Sequence, residues 1–208
     1  MLIQTLLSVA AVAGLSLATP VPAVSGRATE PSAASIIAQI MPSSNSCSGA
    51  QFPDECRTAD QAAPFLIKAM VDHGVKYAGE IAGILALVGY ESVDMKYKHN
   101  VVPGRPGQGT SNMQMVNYNR LYAASIPALA DKVKAATDDN AVLALVQPDE
   151  YNFGSGPWFL TTQCTPEQRN QLSQGTDDGF RAYMSCVGVE VTDDRLAYWT
   201  RAKQAFGL

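Results

Sequence analysis

Apolar residues recur along this chain with the period of an α-helix far more often than with the period of a strand. The most regular segment carries Ile81, Ile84, Leu85 and Val88, spaced i, i+3, i+4, i+7 and so sharing one helical face. Ahead of it, Phe65, Leu66, Ala69 and Met70 follow Thr58-Ala59-Asp60-Gln61, whose Thr and Gln have capping-box spacing, and the run stops at Gly74. Gly79, Gly83 and Gly89 lower the helix propensity of the Ile81 segment, but small residues also let a second helix pack close. Further helices are predicted at about 116–124, 127–136, 139–147, 166–173, 177–187 and 193–206. Thr165 is placed to cap one of these, with Pro166 at its first position. Thr192 is placed to cap the last, with Asp193 and Asp194 where the helix dipole favours negative charge. Period-2 alternation is scarce. The predicted class is therefore mostly α, with room for one short β-hairpin inside 95–115. A loop over Asn100–Asn112, carrying Pro103, Gly104, Pro106, Gly107 and Gly109, interrupts the helices.

The chain begins differently. Leu2 to Leu17 is apolar, ends in the small-residue pattern Ser16-Leu17-Ala18, and is followed by Pro20 and Pro22. Residues 1–18 read as a secretory signal peptide. Residues 19–46 read as a flexible Ala/Ser/Pro-rich leader, with space for a short helix at 33–41 around Ile36, Ile37 and Ile40. The ordered domain is expected over 47–208. Secretion gives the four cysteines a meaning, since an oxidising compartment favours pairing. Of three connectivities, Cys47–Cys56 with Cys164–Cys186 is expected, because local pairs need the least rearrangement.

Composition narrows the function classes. At 47% apolar and 16% charged residues the chain can bury a real core. Its 15 basic and 19 acidic side chains give a net charge of −4 with no basic block, which argues against nucleic-acid binding. His73 and His99 are the two histidines, and there is neither a C-x-x-C nor an H-E-x-x-H motif, so no metal and no cofactor are expected. The expectation is a secreted, extracellular monomer with no membrane contact after signal cleavage.

Glu91 is the most informative candidate. It lies three, four and seven positions after Val88, Leu87 and Ile84, so it continues the apolar stripe of its helix. A carboxyl in apolar surroundings gains proton affinity and becomes able to donate a proton, the general-acid role in glycoside cleavage. The glycine-rich loop follows it, then Asn112-Met113-Gln114-Met115, then Tyr151-Asn152-Phe153-Gly154-Ser155-Gly156-Pro157-Trp158. Amides, phenols and indoles suit sugar hydroxyls and pyranose faces. Trp158 and Met113 also fit core positions.

Glu91-Ser92, Met113-Gln114 and Tyr151-Asn152-Phe153-Gly154, in this order, resemble the three-motif signature of the soluble lytic transglycosylase and goose-type lysozyme superfamily. The resemblance covers about 80–160, with 23 positions from Glu91 to Gln114 and 37 from Gln114 to Tyr151. Where the family has Gly-Leu before Met-Gln, this chain has Ser111-Asn112. The resemblance implies a lysozyme-like helical domain with a cleft, Glu91 as catalytic acid, and Ser92, Gln114, Tyr151 and Asn152 at the substrate. A second carboxylate, roughly 6.5–9.5 Å away in inverting hydrolysis, has Asp94, Asp149 and Glu150 as candidates. On this footing the chain is expected to be a glycosidase cleaving a β-1,4-linked N-acetyl-sugar polymer, bacterial peptidoglycan or a chitin-like polysaccharide. Two alternatives stay open: a non-catalytic secreted glycan-binding or interaction protein on the same scaffold, and a disulfide-stapled structural protein.

Overall fold

The computed structural model describes residues 31–208. The signal peptide expected over 1–18, and the leader up to residue 30, lie outside the described residues. The protein is mostly helical. Its elements are α1 (Ala33–Ile40), a 3-10 turn (Pro42–Asn45), α2 (Ala59–Asp72), α3 (Ala78–Glu91), α4 (Val116–Ser125), α5 (Ala130–Ala135), α6 (Asp139–Val146), α7 (Asp149–Asn152), α8 (Ser155–Thr162), α9 (Pro166–Ser173), α10 (Asp177–Val187) and α11 (Asp193–Phe206). In place of a hairpin inside 95–115, the described residues hold two isolated bridges, His99 to Gly109 and Gly109 to Gln114.

Local chemistry sets most boundaries. Thr58 and Gln61 form a reciprocal capping box at the start of α2, and Thr165 and Gln168 form another at α9. Thr192 accepts the Arg195 N–H at the start of α11, and Gly207 closes that helix in the left-handed conformation. α3 is the centre of the molecule, and residues 82–89 along it are all buried. An all-round apolar helix of this kind belongs inside a core rather than on its surface. α11 and α9 pack on it, and α1 and α8 make further contacts. The closest approach is at Gly79, where a Cβ would stand 2.3 Å from the Leu172 carbonyl oxygen of α9. A side chain there would force the α9 backbone to shift.

The domain begins earlier than residue 47. α1 inserts Ile37, Ile40 and Met41 into the main core, so residues 33–46 are part of the fold rather than a leader. Ile37 and Ile40 on the helix and Met41 at its C-cap dock this segment on the main core. Phe180 and Trp199 stack with ring centroids 4.8 Å apart in the same core. A second, smaller core gathers Tyr122, Leu129, Val133, Val142, Leu143, Val146, Trp158 and Phe159 from α4–α6 and α8. Trp158 is 4% exposed and packs there on Tyr122.

Cys47 is joined to Cys56 and Cys164 to Cys186. The second disulfide borders both cores, with Cys164 packed against each. Among the described residues no helix is long and apolar enough to cross a membrane.

Candidate functional site

α3 ends at Glu91, and the chain then turns in an unusual way. Val93, Asp94 and Met95 take successive positive φ values of 52°, 55° and 64°. Each non-glycine residue in this region costs about 1–2 kcal/mol, so the turn persists only because its surroundings hold it. The restraints are visible. Asp94 N–H donates to Gly89 O at 2.8 Å, and Met95 N–H donates to Ser92 Oγ at 2.8 Å. The Asp94 carboxylate accepts Ser43 N–H at 2.8 Å and the Tyr198 hydroxyl at 2.6 Å. Lys96 Nζ donates to the carbonyls of Ser43 and Ser46. Met95 itself is driven into the core.

This turn presents Glu91 at the edge of a cleft of about 330 Å³. Tyr97, His99, Asn100 and Gln108 supply polar wall, and Val93, Val101, Val102 and Met113 supply apolar wall. The Glu91 carboxyl is mostly buried, with 17% of the side chain exposed, and its Oε1 accepts Arg195 Nη1 at 2.6 Å. Burial raises its proton affinity above that of an ordinary carboxyl, and the Arg195 charge and hydrogen bond offset only part of that rise. The Arg195 guanidinium also lies over the Tyr90 ring, 4.1 Å from its centroid. Across the cleft, His99 Nδ1 is 2.7 Å from Glu55 Oε1, and Asn100 Nδ2 donates to Gln108 Oε1 at 2.7 Å. The arrangement can hydrogen-bond ligand oxygens from several sides and exchange a proton at Glu91.

The other expected site residues stand elsewhere. Ser92 is buried and donates to Val88 O at 2.6 Å, so its hydroxyl closes the helix end instead of meeting a ligand. Gln114 is buried behind the loop, donating to Asn119 Oδ1 at 2.8 Å. Asn152 is fully buried and holds Ser111 twice, accepting its N–H at 2.8 Å and donating to its hydroxyl at 2.7 Å. Ser155 adds a bond to Thr110 at 2.8 Å. These polar residues fasten the 107–115 loop to α7 and α8. Tyr151 sits in a separate depression with His73, Tyr122 and Glu150, and its proton is held more tightly than a free phenol's by a hydrogen bond to Glu150. Glu150 shares that depression, away from the Glu91 cleft.

The candidate second carboxylates are committed to structure. Asp94 braces the turn. Asp149 is paired with Arg57 at 2.7 Å and with Lys98. Burial opposes its charge, but the hydrogen bonds and charges of Lys98 and Arg57 outweigh that and hold the carboxyl below its ordinary range. Sequence reasoning missed Tyr97, His99, Asn100 and Gln108 as cleft residues, and Arg195 as the partner of Glu91. Asn100 and Gln108 lie on the glycine-rich loop expected over 100–112, while Tyr97 and His99 precede it. Nothing in the sequence signals Arg195, because its pairing spans 104 positions. Among the described residues no group of three His, Cys, Asp or Glu side chains is placed to share a metal ion.

No family model matches the chain, and no solved structure matches it. The chain is 49% identical over 157 residues to a protein of Fusarium oxysporum (strain Fo5176) named as a bifunctional dioxygenase (DOX)-epoxy alcohol synthase (EAS). The match takes in 71% of this chain and 12% of that protein, so the chain spans about an eighth of the relative's length. The similarity corrects the expectation of a glycosidase acting on peptidoglycan or chitin: the relative that shares about half of the aligned residues is named for oxidative chemistry, not for glycoside hydrolysis.

Proposed function

We propose that the chain is a binding module for a small oxygenated organic ligand, one bearing hydroxyl and epoxide or ether oxygens on an apolar skeleton. It would act in company with an oxidative enzyme of the kind it resembles. The observation that carries this reading is the two-sided lining of the Glu91 cleft. Tyr97, His99, Asn100 and Gln108 suit oxygen atoms, while Val93, Val101, Val102 and Met113 suit hydrocarbon. Glu91 adds the chemistry. A carboxyl with raised proton affinity can donate to an epoxide or ether oxygen, and its ionised form accepts from a hydroxyl. The relative's name, which joins a dioxygenase to an epoxy alcohol synthase, supports this class of ligand.

The scaffold reading belongs to the same proposal. A divergent lysozyme-like domain, its cleft turned to another ligand, is supported by Glu91 at the end of a buried central helix with the 110–114 loop packed behind it. Delivery to an oxidising, extracellular compartment is supported by the two disulfides and by the apolar stretch Leu2–Leu17.

Calorimetric titration with a short-chain epoxy alcohol, its diol and the parent alkane tests the reading. The epoxy alcohol and diol should bind and the alkane should not. Glu91→Gln should weaken binding by about 10- to 100-fold, the loss of one hydrogen bond to a charged group. Absence of binding by both oxygenated probes, or unchanged affinity in Glu91→Gln, would overturn it. So would saturable binding of a chitin oligomer in the same cleft with none of the oxygenated probes.

A further inference from the structure

We propose that Arg195 is the positioning residue of the Glu91 cleft: from α11 it holds Glu91 Oε1 and leaves Oε2 to meet the ligand. This rests on the reading of Glu91 as the ligand-binding group.

The geometry is a clamp made by one helix. Arg195 and Tyr198 are three apart on α11, on one helical face. Arg195 reaches Glu91, the last residue of α3, at 2.6 Å. Tyr198 reaches Asp94, inside the left-handed turn that follows, at 2.6 Å. Both ends of the segment presenting Glu91 are thus held from α11. Arg195 is in turn braced by the Tyr90 ring, and Tyr90 packs edge-on against Tyr198 with centroids 6.1 Å apart. Arg195 is 12% exposed, so its charge acts on Glu91 with little screening from water. Among the described residues, Glu91 Oε2 has no hydrogen-bond partner. A carboxyl gripped at one oxygen cannot rotate freely, so its second oxygen keeps a fixed direction, which lowers the entropic cost of binding.

The charged and titratable groups facing Glu91 are few. Arg195 comes from α11, and the Tyr183 phenol from α10, where burial and the nearby Glu91 charge keep it un-ionised. His99 and Tyr97 come from the loop, with His99 engaged by Glu55. Arg195 is the group that favours the ionised form of Glu91.

The experiment follows the Glu91 side-chain carboxyl by 13C NMR through a pH titration, without ligand, with Glu91→Gln identifying the signal. In Arg195→Ala the midpoint moves up, because burial is no longer opposed. In Arg195→Lys, which keeps the charge but loses the planar stack on Tyr90, the midpoint returns part of the way. If Arg195→Ala lacks native amide dispersion, Arg195→Gln is measured in its place and must show the same upward move. An unchanged midpoint in a folded charge-removing variant overturns the proposal, whatever the ligand proves to be. For the ligand proposed above, Arg195→Ala should bind about tenfold more weakly and Arg195→Lys about threefold, in line with loss and partial retention of a charge-assisted bond. Failure of wild type to bind any oxygenated probe refutes the ligand reading and leaves the titration result standing on its own.

Discussion

Asp94→Asn isolates the contribution of the left-handed turn. Asn tolerates positive φ as well as Asp does, so the backbone is not penalised. The side chain nearly keeps its shape. What changes is one acceptor, which becomes an amide donor. Wild-type Asp94 accepts from Ser43 N–H at 2.8 Å and from Tyr198 at 2.6 Å. The Asn oxygen can serve one of these; the amide then either opposes the Ser43 N–H or faces the Tyr198 oxygen and leaves the phenol hydrogen without its acceptor. A hydrogen bond to a charged group contributes about 1.5–3 kcal/mol, and an orphaned buried donor costs a comparable amount. Ser43 lies at the surface, where water takes over part of the lost bond. The net cost is therefore about 2 kcal/mol, or roughly 4–8 °C in Tm for a chain of this size. Urea denaturation with both disulfides intact, followed by tryptophan fluorescence, measures it. A midpoint shift equivalent to less than about 0.5 kcal/mol would refute the reasoning, because it would mean the two bonds do not restrain the turn.

Two further outcomes follow from the structure. Gly79→Ala should lower stability by about 1–3 kcal/mol, since its Cβ would meet the backbone of α9 at Leu172 O (2.3 Å), Gly175 N (2.6 Å) and Ser173 O (2.9 Å), and backbone gives way less readily than a side chain; an unchanged urea midpoint would contradict the close packing. The stability of wild type relative to Glu91→Gln should fall as pH rises from the ordinary carboxyl range through the raised native value, because the folded state there binds more protons than the unfolded chain and the derivative of stability with pH is negative; a difference that stays flat across that window would rule out the burial of Glu91.

The helices were legible because their signals are local. Thr58 with Gln61 and Thr165 with Pro166 mark two starts, and Thr192 with two aspartates marks a third. The tight packing of α3 also followed from its glycines. Two stretches were less readable. Residues 33–46 were grouped with the Ala/Ser/Pro-rich leader that precedes them, although a short helix was allowed at 33–41; Ile37, Ile40 and Met41 bury together there and make that helix part of the core. No helix was expected over 149–162, where Pro148, Gly154 and Gly156 punctuate the chain, while burial of Phe153, Trp158 and Leu160 accompanies two short helices there. Tertiary packing overrides propensity in both. At the site, Glu91 was visible through its place on the apolar stripe. Its neighbours were not, since side chains drawn from α11 and from an irregular loop leave no period to detect. The polar residues of the later motifs were visible as polar, but whether a polar side chain faces a ligand or fastens a loop depends on contacts 41 positions away, as between Asn152 and Ser111.

The Cys164–Cys186 bridge sits on the seam where the two apolar cores meet. Each core is a separate store of buried surface, so each has its own tendency to come apart. A covalent rivet at the seam makes opening of the smaller cluster strain the larger, and so couples them into one event. In reducing solution that coupling is gone. The smaller α4–α6 and α8 lobe should then melt first, so that one transition in the oxidised protein becomes two in the reduced protein. On this reasoning the redox state of its surroundings should decide whether this molecule loses its shape all at once or one lobe at a time.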